Sequence, residues 1–231
     1  MITLFQFASS PFTEKVRRAF NYKKVPFEVH EVDRLAVDKL THVSPFGKFP
    51  AIADGDQPIC DSTDIILHLE SKFPENPLIP SDPQLAALAH VMEDWADESL
   101  YHYEITMRIS WEHNARRTVA AMMDTMPAGF TEEQVLEIML ANSKSLTEAQ
   151  GLGRKTREQV VADSLRHAKA LDAMLDGNDW LVGDSLSIAD ISVLPQLNCL
   201  MFAEEFAPAV EESKNIRAWM ERVDKVAPAS L

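Results

Sequence analysis

The chain has 231 residues, 46% of them apolar and 25% charged, and its 22 basic residues against 36 acidic ones leave a formal charge of −14. That length and composition describe an ordinary folded chain, able to bury a full core in one large domain or two small ones. They exclude several classes: no run of about 18 apolar residues is present to span a membrane, residues 1–18 lack the basic start and apolar core of a secretory leader, and the surplus of carboxylates disfavours nucleic acid, whose phosphates must be met by Lys and Arg.

Cys60 and Cys199 alone build neither a disulfide framework nor a multi-cysteine zinc site, and no histidine pair has ligand spacing. No metal is expected, and a reduced, cytoplasmic setting is.

Residues 2–7 form a compact strand candidate. A helix follows over 11–24, with Val16, Ala19 and Phe20 on one face. Residues 27–32 alternate apolar and polar side chains, as a half-buried strand does. A short helix is expected within 34–43. Two short strands, 49–53 and 58–60, flank the turn Asp54-Gly55-Asp56. Residues 62–73 read as a helix whose Ile65, Ile66, Leu69 and Phe73 share a stripe. Residues 74–83 hold four prolines; proline has no amide donor and disfavours helix in the residue before it, so this is a linker. Beyond it the 3.6-residue period dominates, over 84–112, 115–126, 132–149, 156–176, 188–202 and 213–226. Ser187-Ile188-Ala189-Asp190 has the form of a capping box ahead of an apolar helix.

Three segments carry candidate chemistry. In Ser9-Ser10-Pro11-Phe12-Thr13, Ser10 stands as N-cap and Pro11 in the first helical turn. Two readings stay open there: a cap and nothing more, or a hydroxyl donor to an anion at the positive end of the helix, for which a thiolate qualifies. No His or Asp can be set beside Ser10 from sequence, so a serine triad is unsupported. In Gly47-Lys48-Phe49-Pro50-Ala51, a trans Phe49–Pro50 bond is the ordinary case, whereas a cis bond would turn the Phe49 backbone outward to pair with an extended peptide. In Asp61-Ser62-Thr63-Asp64, Asp61 or Ser62 caps a helix; the same spot would also suit an α-amino acid head, its carboxylate at the helix end and its ammonium at Asp61.

Taken in order, SPFTEKVR after the first strand, KFPAI, DST and the Ser187–Asp190 box resemble the glutathione transferase family over nearly the whole chain. Gly151-Leu152-Gly153-Arg154-Lys155 is similar to a G-x-G-R-H stretch of its metaxin-like branch, with Lys155 where His is usual. The resemblance implies a thioredoxin-like α/β N-terminal domain over 1–75 and an all-α C-terminal domain over 83–231. It implies glutathione as co-substrate and Ser10, seven residues before Arg17, as the catalytic hydroxyl. Phe12, Lys48, Phe49, Pro50, Asp61 and Ser62 would bind the tripeptide. Phe49 would pair with the cysteinyl backbone, Pro50 would be the cis proline, and Asp61 with Ser62 would hold the γ-glutamyl amine and carboxylate. Lys48 or Lys39 would reach the glycine carboxylate. Omega-like and glutaredoxin-like members have Cys at the position of Ser10; a serine forms no mixed disulfide, which argues against thiol–disulfide exchange.

The second substrate, a small hydrophobic electrophile, would sit between the domains. Tyr103, Met107 and Trp111 recur at i, i+4, i+8 and so share a face, which is either core or acceptor pocket. Arg108 and His113 are polar candidates beside it. A homodimer is expected by the same likeness. The rival reading is a non-catalytic module that keeps the fold for binding.

Overall fold

In a computed structural model, which describes residues 1–126 and 129–230, the first half of the chain builds one sheet. Its strands are β1 (Ile2–Gln6), β2 (Phe27–Glu31), β3 (Ala51–Asp54) and β4 (Gln57–Cys60), in the order β2-β1-β3-β4. β2 runs parallel to β1 with Ile2 opposite Phe27, while β3 runs antiparallel to it with Leu4 opposite Ile52. The parallel pair needs a crossover, and α1 (Pro11–Lys23) supplies it. α2 (Ser62–Lys72) packs beside α1, and Leu4, Val16, Phe20, Ile52, Ile65 and Leu69 fill the layer between helices and sheet.

The expected helix within 34–43 is only a 3₁₀ turn, Val37–Leu40. Asp33 already takes the Leu35 N–H at 2.9 Å, and none of the four turn residues is buried, so no apolar face exists to extend it. The third strand begins at Ala51 rather than at Phe49.

The proline-rich linker is firmly held. Leu78 is fully buried, its carbonyl accepts the Ile188 N–H at 2.8 Å, and Glu70 accepts the Leu78 N–H at 3.1 Å. Helices then follow: α3 (Pro83–Trp95), α4 (Tyr101–Ile109), α5 (Glu112–Met122), α6 (Glu132–Gln150), α7 (Arg157–Met174), α8 (Ile188–Leu200), α9 (Ala207–Glu211) and α10 (Lys214–Val226). α8 is buried along almost its whole length and packs against α1, α3 and α4, which joins the two halves. No helix among the described residues is long and apolar enough to cross a membrane.

The 84–112 stretch is not one regular helix. A π-helical turn, Ala96–Leu100, lies between α3 and α4. Such turns recur at functional sites because the extra residue re-aims the side chains around it. Here Asp97, Glu98 and the following Tyr101 reach the cleft described below.

Candidate active site

Ser10 is the N-cap of α1. Its backbone is extended (φ −79°, ψ 130°), its N–H donates to the Phe7 carbonyl at 3.0 Å, and its hydroxyl accepts the Thr13 N–H only at 3.5 Å. Pro11 fills the first helical position, where an amide would be left over. The hydroxyl therefore keeps its own proton free to donate, at a helix end that carries partial positive charge.

Ser10, Phe12, Lys48, Phe49, Pro50, Asp61 and Ser62 line one open cleft of about 700 Å³. Lys39 is not part of this lining; it sits in the 3₁₀ turn. The Phe49–Pro50 peptide is cis. Phe49 packs edge-on against Phe7, with ring centroids 5.5 Å apart, and among the described residues its backbone N–H and C=O take no backbone partner. Asp61 stands at φ 81°, ψ 131°, and its carboxylate accepts the Thr63 N–H at 2.8 Å. A non-glycine residue held there stores about 1–3 kcal/mol of strain, a feature that clusters at ligand sites.

Beneath this floor lies a group that sequence reasoning missed. Lys15, 1% exposed, donates to Glu93 at 2.5 Å, to Asp97 at 2.7 Å, to Thr63 at 3.2 Å and to Ser62 at 3.4 Å. One lysine thus ties α1 to the start of α2 and to the end of α3. The one available signal was a cation on the helix face shared with Ala19, but its partners lie 78 and 82 residues away. Burial is the largest influence on Asp97 and, against the pull of Lys15, pushes its carboxyl up to about 6.

This shift has a sign. The folded carboxyl holds a proton up to about pH 6, whereas an unfolded aspartate releases it near pH 3.9, at its reference value of about 3.9. The folded state therefore binds the extra proton between those values, and this group's contribution to stability falls as the pH rises across them. Asp97→Asn is expected to remove a falling limb on the order of 2 kcal/mol between about pH 4 and 6, read as the urea midpoint against pH. A wild-type slope kept by the variant would mean that Asp97 does not titrate there.

Ser10 and Phe12 also line a second, smaller cavity of about 200 Å³, with Tyr101, Ile105, Arg108 and Met139. Of Tyr103, Met107, Arg108 and Trp111, expected at an acceptor pocket, only Arg108 lines this cavity. Tyr103 and Met107 are buried in the core, and Tyr103 donates to Asp163 at 3.2 Å and accepts from Lys155 at 3.1 Å. Trp111 lies beyond the end of α4, under the Arg157 guanidinium. The stripe is core, and the cleft face of α4 is instead Tyr101, Ile105 and Arg108. His113 pairs with Glu205 at 2.9 Å. Lys155 of the G-x-G-R-K stretch is occupied with Tyr103 and Asp163, 2.5 Å from the latter. Cys199 is buried and Cys60 half-buried. No cluster that could hold a metal occurs among the described residues.

A thioredoxin-like domain followed by a helical domain, with a cis proline and a serine-capped helix facing one cleft, defines the class of protein. A family model described as glutathione S-transferase, N-terminal domain, matches residues 4–77, and one described as glutathione S-transferase, C-terminal domain, matches 122–225. The chain belongs to the glutathione transferase family. It is 42% identical over 89 residues to glutathione S-transferase 1 of Dianthus caryophyllus, a match covering 37% of this chain and only 40% of that relative. It is 26% identical over 223 residues to the isoprene-epoxide–glutathione S-transferase of Rhodococcus sp. (strain AD45), covering 94% of this chain and 92% of that one. The crystal structure of glutathione transferase F7 from Populus trichocarpa shares the fold, with a TM-score of 0.66 at 20% identity over 99% of both chains.

Proposed function

We propose that this protein is a glutathione transferase in which Ser10 lowers the thiol pKa of bound glutathione for attack on a small, largely hydrophobic electrophile. The observation that carries the reading is the free Ser10 hydroxyl at the start of α1, shared by the large cleft and the small cavity. The tripeptide lies along the large cleft. Its cysteinyl backbone pairs with Phe49, its γ-glutamyl carboxylate meets the N-terminus of α2 at Ser62, and its ammonium faces Asp61. Lys48, exposed at the rim, takes the glycine carboxylate. The thiolate is held by the Ser10 O–H and by the helix end. It is the nucleophile: a sulfur–carbon bond forms as the electrophile's leaving group departs or its strained ring opens. The enzyme contributes the lowered pKa and the juxtaposition of two reactants. The name of the Rhodococcus relative, an epoxide-directed transferase, agrees with this step.

Two free cysteines fit a reducing, cytoplasmic setting. The homodimer belongs to the same reading: Phe46 is 88% exposed, and Leu88 and Val91 leave an apolar strip on α3, surface that a second copy would cover.

Retention on immobilised glutathione tests the site. Ser62→Ala is expected to weaken glutathione binding by about tenfold, the effect of one charge-assisted hydrogen bond, as measured by calorimetry. No retention of the wild type would leave an inherited scaffold. Retention without any thiolate absorbance near neutral pH would leave a binding module.

A further inference from the structure

The two ends of the active-site region carry opposite charge. The large cleft is walled by Asp61, Glu93, Asp94, Asp97 and Glu98, with Lys48 as the one lysine or arginine among its described lining. The small cavity on the other side of Ser10 has no carboxylate among its described lining residues and holds two arginines, Arg34 and Arg108. In a chain of net charge −14, that absence is conspicuous.

Arg108 is held for a purpose its own contacts do not exhaust. Its side chain is 14% exposed, and its Nε donates to the fully buried Glu104 one turn earlier. Glu104 thus holds the guanidinium at Nε, and Arg108 lines the cavity with both terminal nitrogens unpartnered among the described residues. Paired nitrogens in that arrangement match the two oxygens of a carboxylate. Arg34 lies 4.3 Å over the Phe7 ring and donates to Ser9 at 3.3 Å, on the same side of Ser10. Through Arg34, Ile109, Met122 and Met139, which line both, the cavity adjoins a largely apolar groove of about 440 Å³ lined also by Phe130, Val135 and Ile138.

We infer that the electrophile taken up here carries a carboxylate, received by the free fork of Arg108 and flanked by Arg34, with an apolar body lying along Met122 and Met139. This rests on the glutathione reading above and adds the chemical class of the second substrate.

The test uses two inert conjugates, S-(4-carboxybenzyl)glutathione and its methyl ester, with plain glutathione as reference, each titrated into the full chain by calorimetry. The acid is expected to bind wild type at least about tenfold tighter than the ester. Arg108→Met alone strands a buried Glu104, so the variant is Arg108→Met with Glu104→Gln, its folding checked by thermal melting. In it the acid-to-ester ratio is expected to fall to near one. Equal binding of acid and ester by wild type overturns the inference whether or not the variant folds, and so does a ratio that survives in a folded variant. A loss of plain glutathione affinity by the same factor would also overturn it, by assigning Arg108 to the tripeptide. If neither conjugate nor glutathione binds, the tripeptide site itself is wrong and both readings fall.

Discussion

Ser10→Ala is expected to leave glutathione bound and to return its thiol toward the ordinary range. A hydrogen bond from a neutral hydroxyl to an ionised sulfur contributes about 1.5–3 kcal/mol. At 1.36 kcal/mol per unit, that is about one to two pKa units. Against a free thiol near 8.5, the wild-type complex should titrate near about 7, and the variant about one to two units higher. Thiolate absorbance of the bound tripeptide against pH reads this directly. At neutral pH kcat/KM should fall by roughly 5- to 50-fold, with binding changed little, because the bond matters to the ionised form. Ser10→Thr keeps the hydroxyl and should retain much of the shift. The N-cap complicates the alanine variant only modestly: the Thr13 N–H bond is already long at 3.5 Å, so the capping loss lies at the low end of about 0.5–2 kcal/mol. An unchanged thiol pKa in Ser10→Ala would remove Ser10 from the mechanism and assign the thiolate to the amides at the start of α1.

The parts of this fold that could be read from sequence are those fixed by neighbours in the chain. Ser10 before Pro11, Asp61 before α2 and Ser187 three residues before Asp190 are local devices, and each stands at its helix start. Alternation in 27–32 and the prolines of 74–83 are local in the same sense. The Lys15 network was illegible because its energy lies between residues brought together only by the packing of the two halves. The direction faced by the Tyr103, Met107 and Trp111 stripe was left open for a different reason. A face defined by i, i+4, i+8 spacing states which residues point together, not where they point. The π turn at Ala96–Leu100 sets the orientation of α4, and no periodicity announced it. Tyr103 and Met107 accordingly face the core, while Arg108, one position on from Met107, reaches the cavity. The helix expected within 34–43 failed because the local bond from the Leu35 N–H to the Asp33 side chain competes with helix where no buried face rewards continuation.

Asp190→Ala is expected to have the largest effect on stability of any single substitution considered, about 4 kcal/mol or more. If Asp190 were only the third residue of a capping box, its loss would cost about 0.5–2 kcal/mol. The structure gives it more. The carboxylate, fully buried, accepts the Ser187 N–H at 2.9 Å, the Ser187 hydroxyl at 3.0 Å, the Leu181 N–H at 2.9 Å and the Trp219 indole N–H at 2.8 Å. Three separate pieces of chain therefore converge on one side chain: the loop before α8, α8 itself and α10. Alanine would strand two backbone donors and an indole donor in the core, each at about 1–3 kcal/mol. Asp190→Asn keeps one acceptor oxygen but turns an NH₂ toward N–H donors, so it should fall between wild type and alanine. Urea denaturation with a common slope would rank the three. A loss for alanine near 1 kcal/mol would reduce Asp190 to a helix cap. A loss near 4 with a broadened transition would mean that α10 separates from α8 before the rest unfolds, since Trp219 is tied to α8 through this carboxylate.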